Sequence, residues 1–305
     1  MGVIMIRDNN TVLKITGLNK KMGSFQIKDI NISLEAGYIM GFIGRNGAGK
    51  TTVMKLIQNV MVKDSGNVTI SGFDNKKQEI QAKNEIGFIM EHAPFIKNYT
   101  LLENGELFGK YYTRFNMEYY SSLLHRFQLN GNKNIFALSK GMETKFQLDF
   151  ALAHSPKLLI LDEPTDGLDP IFRKDFLYLL QKLIEEEKMA VLLSTHVTSD
   201  LDKIADYITM IDNGEIVFSE NKENILDRYR IVKGNKELQK KIPLNKFVAV
   251  RNLGNSFEGM TEYYNEIKMY GGSDCNVVSQ KADLDDIMYY ISKGRRQIDD
   301  SSIYV

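Results

Sequence analysis

The spacing of apolar and polar positions changes several times along the chain, and each change marks a different kind of element. Thr11–Thr16 and Phe25–Leu34 largely alternate apolar and polar residues, the period-two pattern of half-exposed antiparallel strands. Gly66–Gly72 carries another short strand between turn residues. Tyr38–Ile43, Ile86–Met90, Leu158–Leu161 and Ala190–Ser194 are runs of mostly apolar residues, as strands buried on both faces of a sheet require. From Leu101 to about His154 the period becomes helical, as in Leu123, Leu124 and Phe127 or Phe146, Leu148 and Leu152. Thr52–Ile57, Ile171–Glu187 and Val197–Ala205 read as helices among the buried strands. Asn213-Gly214, between Tyr207–Ile211 and Ile216–Phe218, is a strong hairpin signal. The pattern predicts an α/β fold: a mainly parallel sheet with helices on both faces, an antiparallel β subdomain, and a helical insertion at about 92–155.

Beyond about residue 221 the texture shifts. Lys222–Lys246 is rich in charged and amide side chains, yet apolar positions return at Phe247-Val248-Ala249-Val250 and in the amphipathic stretch Leu284–Ile291. The expected division is therefore a large domain at 1–220 and a small accessory α/β domain at 221–305, which 305 residues can support. The 39 basic and 39 acidic residues cancel, so no global charge draws the chain to nucleic acid. Its one cysteine, Cys275, excludes an intramolecular disulfide and fits a reducing cytosol. No apolar run approaches the roughly 18 residues that a membrane-spanning helix needs, so the expectation is a soluble, cytosolic protein.

Two local strings carry chemistry. Gly44-Arg45-Asn46-Gly47-Ala48-Gly49-Lys50-Thr51, followed by Thr52, has the G-x-x-x-x-G-K-[ST] spacing of a phosphate-binding loop. Its glycines let the backbone wrap a polyphosphate with N–H groups turned inward. Lys50 supplies charge to the β- and γ-phosphates, the Thr51 hydroxyl can ligate Mg²⁺, and the following helix points its N-terminal dipole at the anion. At the end of the buried run Leu158–Leu161 stand Asp162 and Glu163. Asp162 is suited to hold Mg²⁺, and Glu163 to polarise the water that attacks the γ-phosphate.

Around these strings the chain resembles the ABC transporter ATP-binding subunits. Leu138-Ser139-Lys140-Gly141-Met142 looks like a variant of that family's LSGGQ signature. Asp166-Gly167-Leu168-Asp169-Pro170 looks like its D-loop, and Thr195-His196 matches its switch histidine. The resemblance covers roughly residues 11–220. It implies a head-to-tail dimer with two ATP molecules at the interface, each between one subunit's phosphate loop and the other's Ser139 and Gly141. Asp169 of the D-loop joins the nucleotide-binding set, and His196 hydrogen-bonds the γ-phosphate. Ser139 is also a good helix N-cap, so its structural and functional roles are compatible.

The chain departs from the family pattern at two places. Glu91 stands where the family has a Mg²⁺-contacting glutamine, a substitution shared with exporters of bacitracin and lantibiotics. Met22 stands where an aromatic residue stacks on adenine; Met22 can pack on a purine through its sulfur, or Phe25 can take the place. The resemblance implies ATP and Mg²⁺ as cofactors, with Thr51, Glu91 and Asp162 at the metal. It further implies a separate integral-membrane permease, a second ATPase subunit (this chain or a paralogue), and attachment to the inner face of the membrane. The implied function is ATP hydrolysis powering export of peptides or antimicrobials. The alternatives are a non-transport ABC ATPase on ribosomes or nucleic acid, and an ATP-responsive regulatory module.

Overall fold

The computed structural model describes residues 10–90, 93–270 and 278–299, so Glu91, His92 and Cys275 lie outside the described residues. The chain divides into two compact units, Met1–Ser219 and Glu220–Val305.

The first unit begins with β1 (Thr11–Met22), β2 (Phe25–Glu35) and β3 (Ile39–Ile43), then α1 (Lys50–Ile57). Next come β4 (Ser65–Ile70), β5 (Phe73–Asp74), α2 (Glu79–Asn84) and β6 (Ile86–Ile89). Three helices follow: α3 (Leu101–Gly109), α4 (Met117–Arg126) and α5 (Lys140–Leu152). The unit continues with β7 (Leu158–Asp162), α6 (Pro170–Glu187), β8 (Ala190–Ser194), α7 (Thr198–Ile204) and β9 (Tyr207–Asp212), and the chain passes into the second unit near the end of β10 (Glu215–Asn221).

Two sheets result. An antiparallel sheet runs β2-β1-β4-β5, and a six-stranded sheet runs β10-β9-β3-β8-β7-β6. From β9 to β6 the six-stranded sheet is parallel, and β3 and β8 are buried at every residue, as their apolar runs require. β1 continues to Met22, past the Thr16 limit of its apolar–polar alternation. Its pairing register shifts between Ile15 and Lys20, and such bulges break a period-two pattern without ending the strand. Asn213 and Gly214 both take positive φ, which the two-residue hairpin between β9 and β10 needs.

The helical insertion has its own core of Leu101, Tyr120, Leu124, Phe146 and Phe150. Thr100 and Glu103 form a reciprocal capping box at the start of α3. The insertion is stapled to the sheet by Arg114, which donates to both Glu85 carboxylate oxygens at 2.8 and 3.1 Å and to the Asn84 and Ser155 carbonyls. Beside it, Tyr112 stacks on His154 at 4.1 Å, and His154 Nε2 donates to the Ile86 carbonyl at 3.0 Å. Burial pushes the His154 imidazole down to about 4, so it is neutral. One feature of α5 runs against its apolar setting. Asp149 is fully buried, neither carboxylate oxygen has a hydrogen-bond partner among the described residues, and burial raises its pKa to about 9.

The second unit contains α8 (Lys222–Arg228), β11 (Arg230–Asn235), α9 (Lys236–Lys241), β12 (Ala249–Leu253) and β13 (Ser256–Thr261). It ends with α10 (Tyr264–Tyr270), β14 (Val278–Lys281) and α11 (Leu284–Asp299). From β11 onward the order is β-α-β-β-α-β, and the strands form an antiparallel sheet in the order β12-β13-β11-β14. That is the split βαβ topology of ferredoxin-like folds. Val232, Leu238, Phe257 and Ile267 form its core, and Tyr290 of α11 donates to Glu258 at 2.7 Å.

Candidate functional site

Chemistry-bearing residues gather where β3, β7 and β8 end. After β3, the loop from Gly44 turns into α1, which starts at Lys50, two residues ahead of the Thr52 start read from periodicity. Gly49 makes the earlier start possible: it caps the helix from the left-handed region at φ 117°. The loop is also pressed against its neighbours. A Cβ at Gly44 would lie 2.3 Å from the Ile211 carbonyl oxygen, and one at Gly49 would lie 2.7 Å from Ile27 Cδ1. Ala48 is buried and accepts from the Gly214 N–H at 2.9 Å, tying the loop to the β9–β10 hairpin.

The mouth of this loop is a cavity of about 380 Å³ lined by Arg45, Asn46, Gly47, Gly49, Lys50, Thr51, Thr52 and Glu163, with Phe25 beside them. Lys50 is only 7% exposed; its Nζ donates to the Gly44 carbonyl at 2.8 Å and lies 3.6 Å from Glu163 Oε1. The adenine-side candidates separate here: Phe25 lines the cavity, while Met22 pairs with it across the β1–β2 turn.

The acidic pair is held from three elements. Thr51 Oγ1 donates to Asp162 Oδ2 at 2.7 Å, and Ser194 Oγ donates to Asp162 Oδ1 at 2.6 Å. The backbone N–H of Glu163 donates to Ser194 Oγ at 3.1 Å, and Glu163 itself has φ 50°, an uncommon backbone conformation for a non-glycine residue. His196 then closes on Glu163, its backbone N–H and its Nδ1 both donating to Oε2 at 3.0 and 2.8 Å. The ring nitrogen facing that carboxylate carries the hydrogen.

The other sequence-assigned residues sit at helix starts and lie outside the lining of that cavity. Ser139 caps α5 by accepting from the Met142 N–H at 3.3 Å, with Gly141 in the first turn. Asp169 caps α6, accepting from the Ile171 and Phe172 N–H groups at 3.1 and 3.0 Å, with Pro170 at the first helical position.

Four participants escaped the sequence reading. Ser194 is one, hidden as the last residue of a buried strand. Lys140 and Asp166 are two more. Lys140 Nζ donates to Asp166 Oδ2 at 2.8 Å, and that contact holds the Asp166 carboxyl below the usual carboxylate range. Gln147 is the fourth; its side-chain oxygen accepts from the Met90 N–H at 2.9 Å, fastening the end of β6 to α5. Lys140, Asp166 and Gln147 line, with Asp162, Glu163 and His196, a second cavity of about 570 Å³. Behind the acidic turn, Asp200 is buried. It accepts from Thr165 Oγ1 at 3.0 Å and from Arg173 Nε at 2.8 Å.

The donor set fits a magnesium nucleotide. A helix N-terminus, glycine-lined N–H groups and a buried lysine suit phosphate oxygens, and the Thr51 hydroxyl with the Asp162 carboxylate offers hard oxygen ligands.

Comparison with known proteins agrees with this geometry. The ABC transporter family pattern matches residues 27–166. The uncharacterized ABC transporter ATP-binding protein YdbJ of Bacillus subtilis (strain 168) is 38% identical over 208 residues, covering 67% of this chain and 68% of that protein. The bacitracin transport ATP-binding protein BcrA of Bacillus licheniformis is 35% identical over 214 residues, covering 68% and 69%. Among solved structures, the dimeric post-hydrolysis state of the ATP-binding cassette MJ0796 bound to ADP and Pi is similar, with a TM-score of 0.62 and 25% identity. That match covers 68% of this chain and 98% of that one.

Proposed function

The chain belongs to the ABC transporter ATP-binding proteins and is an ATPase, and on that premise we propose that it powers export of peptides or antimicrobials through a separate membrane permease. The 35% identity to a bacitracin transport protein supports the cargo class. No helix of the described residues is long and apolar enough to cross a membrane, so the channel in this reading belongs to a partner polypeptide.

In this reading ATP binds at the 380 Å³ cavity, its phosphates on the loop N–H groups and Lys50. Thr51, Asp162 and Glu91 would hold Mg²⁺, which would supply positive charge to offset that of the phosphates. Lys50 exchanges its Gly44 contact for the β- and γ-phosphates. Glu163 accepts a proton from the water that attacks the γ-phosphate, and His196 presents Nε2 toward that phosphate while Nδ1 stays on Glu163. A second protomer contributes Ser139, Gly141 and the turn before Asp169 to the same nucleotide. Loss of the γ-phosphate removes contacts made by both protomers, so the dimer opens. The unit at 220–305 serves as the accessory domain of this motor.

The observation that carries the ATP-hydrolysing part of this reading is the 2.8 Å contact between His196 and Glu163, the residue that lines the phosphate-loop cavity. Glu163→Gln tests it: the variant is expected to bind ATP, accumulate as a dimer in size-exclusion chromatography with ATP, and lose most steady-state hydrolysis. A wild-type hydrolysis rate from that variant removes Glu163 from the chemistry.

A further inference from the structure

A line of charged side chains connects the phosphate loop to the start of α5 within one protomer. Lys50 lies 3.6 Å from Glu163, which binds His196 Nδ1 at 2.8 Å. On the other side of the ring, His196 Nε2 is 4.0 Å from Asp166 Oδ1, and the second Asp166 oxygen accepts from Lys140 at 2.8 Å. The imidazole therefore stands between two carboxylates, one bonded and one held back.

Lys140 stands where the LSGGQ pattern has a glycine, and a glycine there has no side chain to make this contact. Its side chain folds back over Gly167. At φ 69°, a Cβ there would lie 3.2 Å from Lys140 Cδ and 3.3 Å from its Nζ. The pair is half exposed on both sides, and such an ion pair adds little to folding stability. What it sets is where the Asp166 carboxylate rests. Freed from Lys140, Asp166 needs to move by only about 1 Å to reach hydrogen-bond distance of Nε2. There it would capture a protonated ring and add uncompensated negative charge beside the γ-phosphate.

We propose that Lys140 is a positioning residue for hydrolysis: by pinning Asp166 it keeps His196 Nε2 available to the terminal phosphate. The proposal rests on the assignment of His196 given above, and it deepens that reading at the signature position. Lys140 acts through Asp166, so its effect depends on that carboxylate.

The test is a double-mutant cycle on the intact chain, with kcat and KM for MgATP measured for wild type, Lys140→Met, Asp166→Asn, the double variant and Lys140→Arg. Lys140→Met is expected to lower kcat by about tenfold while KM moves by less than about twofold, the split expected when a contact to the reacting phosphate is lost. Lys140→Arg is expected to restore kcat. The double variant is expected to return to within about twofold of Asp166→Asn, because no carboxylate is left to compete. A double variant as slow as Lys140→Met overturns the proposal, as does a Lys140→Met variant with wild-type kcat. If Lys140 instead touches a phosphate directly, KM rises and Asp166→Asn gives no rescue, which also overturns it. Glu163→Gln, assayed alongside, separates the two levels: full hydrolysis by that variant refutes the wider reading whatever Lys140 does.

Discussion

Ser194 and Asp162 are joined at 2.6 Å, and the same serine oxygen accepts the Glu163 N–H at 3.1 Å. One hydroxyl at the end of β8 thus orients the proposed metal carboxylate and the backbone of the proposed general base together.

Ser194→Ala is therefore expected to leave the fold intact and lower kcat. The lost bond to a charged acceptor corresponds to roughly tenfold in rate. ATP affinity, resting mainly on the loop and Lys50, is expected to change far less. Steady-state ATPase assays paired with calorimetric titration of ATP check this; a drop in affinity equal to the drop in kcat would place Ser194 in binding instead.

Asp149 gives a prediction in pH. Its folded pKa is raised by burial to about 9, above the ordinary value near 4 that it has when unfolded. Between those values the unfolded chain holds fewer protons than the folded one, so the contribution to stability is complete below about pH 4 and is lost as pH rises through about 9. Asp149→Asn keeps the shape and removes the titration. Urea midpoints for this variant are expected to overtake wild type progressively from pH 6 to pH 9; parallel pH dependences would refute the assignment.

Arg114 staples the insertion to the sheet through Glu85 and neighbouring carbonyls. Arg114→Met leaves Glu85, 11% exposed, without its cation. Allowing for the partly exposed guanidinium, the expected cost is about 1–3 kcal/mol. Thermal unfolding should shift down by a few degrees, and protease cleavage should increase first within 93–155. Unchanged melting would mean the staple is idle.

The parts of this molecule legible in its sequence are those in which chemistry and spacing sit on one short string. Gly44–Thr51 declares its phosphate loop because loop, lysine and hydroxyl are consecutive, and Asp162-Glu163 is announced by the buried run before it. Partnerships across the fold leave no such trace. Thr51 meets Asp162 across 111 residues, and Ser194 meets Asp162 across 32, because β3, β7 and β8 are neighbours only after the parallel sheet forms. Lys140 read as a signature variant, and only the turn at Gly167 brings it to Asp166. Met22 lies at the turn where the base-stacking residue was expected, yet three residues on, across the hairpin, it is Phe25 that reaches the cavity. In the second unit, β11 and α9 were masked by Lys and Asn residues on their exposed faces. The strand order of that unit rests on pairings that no local pattern encodes.

The buried Asp200 carries a consequence for how force moves through the protein. Thr165 of the acidic turn and Arg173 of α6 both anchor on this one carboxylate of α7. The segment around Glu163 is thus tied through one carboxylate to both α6 and α7. Displacing the turn on its own would break the Thr165 bond to Asp200, and with it the turn's link to the 18-residue α6.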